Sequence, residues 1–113
     1  MEPLDVASLR REYETQGLRR ADLHSDPIEQ FSTWFSTAVS SGLPDANAIS
    51  LATATPDGKP SVRVVLLKGF DERGFVFFTN YRSEKGRELE ANPAAAFAIY
   101  WVQLERQIRV AGR

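Results

Sequence analysis

Apolar residues recur at intervals of three and four from Ile28 through Phe31, Trp34, Phe35, Ala38 and Val39, the spacing of one helical face. Asp26 can cap this segment, Pro27 suits the first helical position, Glu29 completes a capping-box-like pair, and Gly42 and Pro44 stop the run. The predicted helix carries an apolar stripe that must dock on something apolar. From Ala48 to Thr55 the period drops to two, with Ile49, Leu51 and Thr53 alternating against smaller residues, as in a half-buried strand. TPDGKP then supplies a turn, RVVLLK lies in the second arm of the hairpin, and Asp71-Glu72-Arg73-Gly74 turns the chain into Phe75 to Thr79. These three strands are expected to form an antiparallel meander. Asn80-Tyr81-Arg82 reads as a loop, and Ser83 to Ala91 as a short helix closed by Asn92-Pro93. Ala95 to Val102 is apolar at both parities, which predicts a strand buried on both faces. Arg106 to Ala111 restores alternation, Ile108 and Val110 against Gln107 and Arg109. Near the start, Leu4 to about Thr15 reads as a short helix charged on most faces, followed by the basic connector GLRRADL.

The pattern predicts a mainly β domain with flanking helices, an α+β chain whose antiparallel strands make a small, partly open barrel with the Asp26 helix over one gap. Composition narrows what it can do. A chain of 113 residues is one domain, and 42% hydrophobic with 26% charged residues excludes a disordered chain. The net charge of -1 argues against bulk attraction to nucleic acid or anionic lipid. With no cysteine there is no disulfide framework, thiolate nucleophile or cysteine-based metal site, which fits a reducing cytoplasm. The opening MEPLDVASLRREYE lacks the apolar core of a signal peptide, and no apolar run reaches the length of a membrane span.

Chemistry concentrates at cations. RVVLLK places Arg63 and Lys68 at the two ends of four large aliphatic residues. Alternation puts Arg63 with Val65 and Leu67, and Lys68 with Val64 and Leu66, so one strand offers a cation to each side. The helix start near Ser83, with Arg82 before it and Lys85 in its first turn, is a second place where an anion such as phosphate would be held. Ordinary solvated charge explains the same residues, and Glu84 favours that reading. The sole histidine, His24, sits in a polar connector and reads as a surface residue; Trp34 and Trp101 fall on apolar faces and read as core or interface aromatics.

The run RVVLLKGFDERGFVFFTNYRSEKGRELEANP, with LERQIRVAG near the end and LRREYETQGLRRADL near the start, resembles the pyridoxine/pyridoxamine phosphate oxidase family from about Leu9 onward. The resemblance implies an FMN-binding split β-barrel, antiparallel and Greek-key-like. It also implies a homodimer with flavin between the subunits, and oxidation of pyridoxine or pyridoxamine phosphate to pyridoxal phosphate, with electrons passing to oxygen and hydrogen peroxide released. It implies that Arg63, Val64, Val65, Leu66, Leu67 and Lys68 form a flavin-binding strand, with Arg63 directed at the FMN phosphate and Lys68 holding the substrate phosphate. Phe78 and Thr79 match a flavin-contacting pair, Ser83 and Lys85 the phosphate-binding helix start, and Gln107 a residue that bonds the flavin ring system. Glu84 stands where relatives often carry Arg and is not expected as a ligand. Arg10, Arg11, Glu12 and Tyr13 resemble a substrate-contacting arm, so residues 1–25 are expected as an arm and residues 26–113 as the flavin domain. Family chains continue past the point where this one stops, so further strands and the residues facing the pyridine ring are expected to lie outside these residues.

No catalytic dyad is expected, because flavin carries the redox chemistry and the protein supplies orientation and electrostatics. Two other readings stand beside the vitamin-phosphate oxidase. One is an FMN split-barrel enzyme acting on a different small molecule, in which Lys68 has no substrate phosphate to meet. The other is a truncated, non-catalytic module for flavin binding or dimerisation.

Overall fold

The computed structural model describes residues 5–6, 18–77 and 84–113. The helix expected over Leu4 to Thr15, with Arg10, Arg11, Glu12 and Tyr13 in it, lies outside the described residues or at their margin. So do Phe78, Thr79, the Asn80 to Arg82 loop and Ser83.

Helix α1 spans Pro27–Ser40, and Asp26 caps it by accepting a hydrogen bond from the Ile28 amide at 2.9 Å. Strands β1 (Ala48–Ala54) and β2 (Pro60–Asp71) form a hairpin, and β3 (Gly74–Phe77) returns along β2. Each turn is built by its sequence. The Thr55 hydroxyl accepts from the Lys59 amide while Gly58 takes a φ of 92°, and Asp71 accepts from the Arg73 amide while Gly74 takes a φ of 135°. Helix α2 (Glu84–Ala91) follows, then β4 (Ala95–Trp101) and β5 (Arg106–Gly112). The sheet is antiparallel throughout, in the order β3-β2-β1-β4-β5. Because β4 crosses over to lie beside β1, the first four strands make a Greek key.

The sheet curls into a half-barrel. Phe75 on β3 and Phe97 on β4 meet edge to face with ring centroids 5.1 Å apart, although β2 and β1 lie between their strands. In a flat sheet that separation would be about 14 Å. Into the concavity point Ile49 and Leu51 from β1, Leu67 from β2, and Phe97, Ile99 and Trp101 from β4, all buried. Helix α1 closes this side through Phe31, which meets Phe70 and Phe75 edge-on, and through the fully buried Ala38. The expected stripe therefore docks, with one departure: Val39 at its margin stays exposed. Trp101 is core, its indole donating to the Ala46 carbonyl at 2.9 Å. Trp34 is half-buried beneath the Arg106 guanidinium. His24 is exposed, with its Nε2 3.4 Å from the Thr33 hydroxyl.

The convex side differs from expectation. β4 was expected to be buried on both faces, but Ala96 and Tyr100 are exposed and only the Phe97, Ile99 and Trp101 parity is buried. The aliphatic run of β2 likewise leaves Val62, Val64 and Leu66 exposed, at 68, 69 and 42%. Among the described residues no second layer covers this face, so an all-apolar strand is half open. Also among them, no helix is long and apolar enough to cross a membrane.

Candidate functional site: a fixed guanidinium and an open sheet face

Register decides where the cations go. Arg63 pairs with Leu51 and Ser61 with Thr53 across the β1–β2 ladder, so Ser61, Arg63, Val65 and Leu67 share the concave face with the core. There α2 lies across the end of the sheet and lowers Glu88 onto it. Glu88 is the only buried carboxylate among the described residues, and Thr53 is the other buried polar side chain.

The groups form a closed network. Arg63 Nη1 donates to the Leu51 carbonyl at 3.2 Å and to Thr53 Oγ1 at 2.7 Å, and Nη2 lies 3.5 Å from Glu88 Oε2. The Thr53 hydroxyl donates onward to Glu88 Oε2, and Ser61 Oγ donates to Oε1 at 3.0 Å. A carboxylate taken from water needs this company. The Thr53 bond first, then Ser61 and the Arg63 charge, hold the Glu88 carboxyl below the usual carboxylate range against the opposing effect of burial.

This network leaves Arg63 with an unused edge. Both hydrogens of Nη1 are engaged and Nη2 faces Glu88, while Nε meets no acceptor among the described residues. The side chain is 23% exposed. An immobilised, half-buried guanidinium with a free N–H edge is suited to an oxyanion, phosphate above all. Lys85 lies in the first turn of α2, three residues before Glu88; its side chain and that of Glu84 fall outside the description.

Lys68 stands elsewhere. Leu67 pairs with Phe77 and Gly69 with Val76, so Lys68 is the extra residue of a β-bulge, a feature that re-aims a side chain. It is exposed, has no charged partner among the described residues, and borders a 490 Å³ cavity walled by Phe35, Val39, Leu43 and Phe70. An ammonium beside an apolar cavity suits an apolar molecule with an anionic end.

Val64, Leu66 and Gln107 are exposed on the convex side; Val65 and Leu67 belong to the concave side. Gln107 pairs with Tyr100, and with Arg109 and Val62 it borders a shallow groove of 570 Å³ floored by Ser50, Ala52 and Ala98. Arg63 and Gln107 thus stand on opposite faces of one sheet. Sequence reasoning missed Glu88, Thr53 and Ser61. A threonine at a core-facing parity of β1, in register with a serine, was the available signal; nothing in the helix pattern marks Glu88.

Comparisons with known proteins give the family and the fold. A family profile described as pyridoxamine 5'-phosphate oxidase matches residues 35–113. The chain belongs to the pyridoxamine 5'-phosphate oxidase family. It is 60% identical over 108 residues to the pyridoxine/pyridoxamine 5'-phosphate oxidase of Rubrobacter xylanophilus, and 57% identical over 108 residues to that of Cupriavidus taiwanensis. Each alignment covers 96% of this chain, and 50 and 51% of those relatives. The chain therefore spans about half the length of the curated relatives it matches. Among solved structures, PhzG from Burkholderia lata, in complex with tetrahydrophenazine-1-carboxylic acid, superposes with a TM-score of 0.79 at 38% identity, over 82% of this chain and 46% of that one. A pyridoxamine 5'-phosphate oxidase-related, FMN-binding protein from Nostoc punctiforme gives a TM-score of 0.66 at 30% identity, over 76% and 46%. The half-barrel is thus the split-barrel fold of this family.

Proposed function

We propose that this chain binds FMN and serves the oxidation of pyridoxine 5'-phosphate or pyridoxamine 5'-phosphate to pyridoxal 5'-phosphate, with O2 as acceptor and hydrogen peroxide released. The observation that carries the reading is the Arg63 guanidinium, half-buried and fixed by Leu51 O, Thr53 Oγ1 and Glu88, with Nε meeting no acceptor among the described residues. Family membership and the FMN-binding relative support it. Arg63, with Ser83 and Lys85 at the start of α2, would hold the FMN phosphate. The strand from Arg63 to Lys68, Phe78, Thr79 and Gln107 would hold the rest of the cofactor. FMN supplies the two-electron redox chemistry, and the chain's own residues bind, orient and exclude water. Lys68, beside its apolar cavity, would meet the phosphate of the vitamin substrate, and Arg10, Arg11, Glu12 and Tyr13 would reach the same substrate from the arm. In this proposal residues 1–25 form that arm and residues 26–113 the flavin domain.

The site is shared by two copies in this proposal. Gln107 and Arg63 face opposite sides of one sheet, so a single copy does not turn both toward one ligand, and a second copy would supply the other. The open apolar face of Val62, Val64, Leu66 and Tyr100 is the surface a second copy would cover.

Oxygen uptake by the flavin-loaded chain with pyridoxine 5'-phosphate tests the reaction: sustained uptake is expected, and a flat trace excludes it. Lys68→Ala should raise KM for that substrate by about tenfold or more while FMN remains bound, as expected when a charge-assisted contact to the substrate is removed. The likeness to PhzG favours a second reading, in which the same flavin fold acts on a different small molecule. There Lys68 meets no substrate phosphate, and its replacement leaves KM for the true substrate unmoved.

A further inference from the structure

We propose that Glu88 is a positioning residue for the phosphate clasp. It fixes the Arg63 guanidinium so that the Nε edge faces the ligand, without itself touching the ligand. The inference rests on the FMN reading and goes beyond it, because it assigns the selectivity of the clasp to a carboxylate that opposes the ligand's own charge.

A free arginine is a poor phosphate receptor in one respect: its rotatable bonds must be frozen when the anion arrives, and that loss is subtracted from affinity. Here the freezing is already done. Leu51 O and Thr53 Oγ1 take both hydrogens of Nη1, and Glu88 Oε2 stands opposite Nη2. The Thr53 hydroxyl accepts from Arg63 and donates to Glu88, so guanidinium, hydroxyl and carboxylate run in one direction. Ser61 occupies the remaining carboxylate oxygen. Rotating Arg63 away would leave a buried carboxylate without its cation and a buried hydroxyl without its donor. Among the described residues, the edge left over is the one that includes Nε.

A glutamate beside a phosphate site at first works against binding, because it offsets the arginine's charge. It is retained at a gain if orientation outweighs charge, and this is what distinguishes a positioning role from two alternatives. If Glu88 only ties α2 to the sheet, its loss weakens every flavin alike. If it acts as a repelling charge, its neutralisation tightens FMN.

Fluorescence titration of the whole chain with FMN and with riboflavin separates the three. Glu88→Gln removes the charge at nearly constant volume, and its amide can no longer accept from both hydroxyls while facing Nη2. The expected result is that FMN weakens about threefold to tenfold more than riboflavin, the size expected for releasing one long side chain. This extra loss is expected to vanish in an Arg63→Ala background. Thr53→Val, which keeps volume and removes the relaying hydroxyl, should shift the ratio in the same direction and serves if Glu88→Gln does not fold. Equal losses for both flavins, tighter FMN, an unchanged ratio in Thr53→Val, or an undiminished effect in the Arg63→Ala background would each overturn the inference. A wild-type chain with no preference for FMN over riboflavin overturns the phosphate reading, and the inference with it. A wild-type preference that survives Glu88→Gln undiminished overturns the inference alone.

Discussion

Arg63 and Glu88 form one part-buried ion pair, and the protonation of Glu88 gives a test independent of any ligand. The Glu88 carboxyl is held below its ordinary value of 4.5 in the folded chain. The unfolded chain therefore takes up that proton at higher pH than the folded one, and the stabilisation is complete above 4.5 and disappears as pH falls through the folded value. We expect the difference in thermal midpoint between wild type and Glu88→Gln to be largest near neutral pH and to shrink below about pH 4.5. A difference that stays constant across that range contradicts the network. Asp71 is lowered in the same direction by Arg73, but that pair is at the surface and contributes little. At this scale the sequence was half legible. Arg63 could be singled out because a cation at the end of an aliphatic run is unusual, and its face followed from parity alone. Its partner could not, because Glu88 lies 25 residues away among other charges on a polar helix, and only the packing of α2 on β1 selects it.

Helix α1 was legible at both ends, since Asp26, Pro27, Gly42 and Pro44 mark it chemically, and the Asp26 cap forms as expected. Asp26→Ala should lower stability by about 1 kcal/mol, read as a shift in the denaturation midpoint, with no change in flavin preference. The hairpins were legible for the same reason, because Gly58 and Gly74 occupy positive φ where the turns need them. The bulge at Lys68 was not. Strict alternation assigns Lys68 to the face of Val64 and Leu66, whereas the register slips by one residue between Leu67 and Gly69. The glycine after Lys68 was the only hint, and a glycine within a strand marks a bulge only when the partner strand is known.

On the scale of the whole molecule, the sheet order and the curl place an aromatic core on the concave side and an alanine-floored apolar surface on the convex side. The sequence made that convex surface look like core, because an apolar face that stays open and an apolar face that is buried have the same composition. Parity arguments see apolar residues, not what covers them. Val64→Asp, at a position 69% exposed in the single chain, should leave the fold intact and shift sedimentation toward the monomer. Unchanged sedimentation of a dimer would place the interface elsewhere. In the proposed site, Arg63 from one copy and Gln107 from another complete one flavin pocket. The most direct measurement titrates FMN into Arg63→Ala, into Gln107→Ala, and into the two variants refolded together. Each variant alone should lose tight FMN binding, and the mixture should recover about a quarter of the wild-type sites, because random pairing leaves one intact site in each mixed dimer. Recovery of none, with mixed dimers demonstrably formed, would contradict the account.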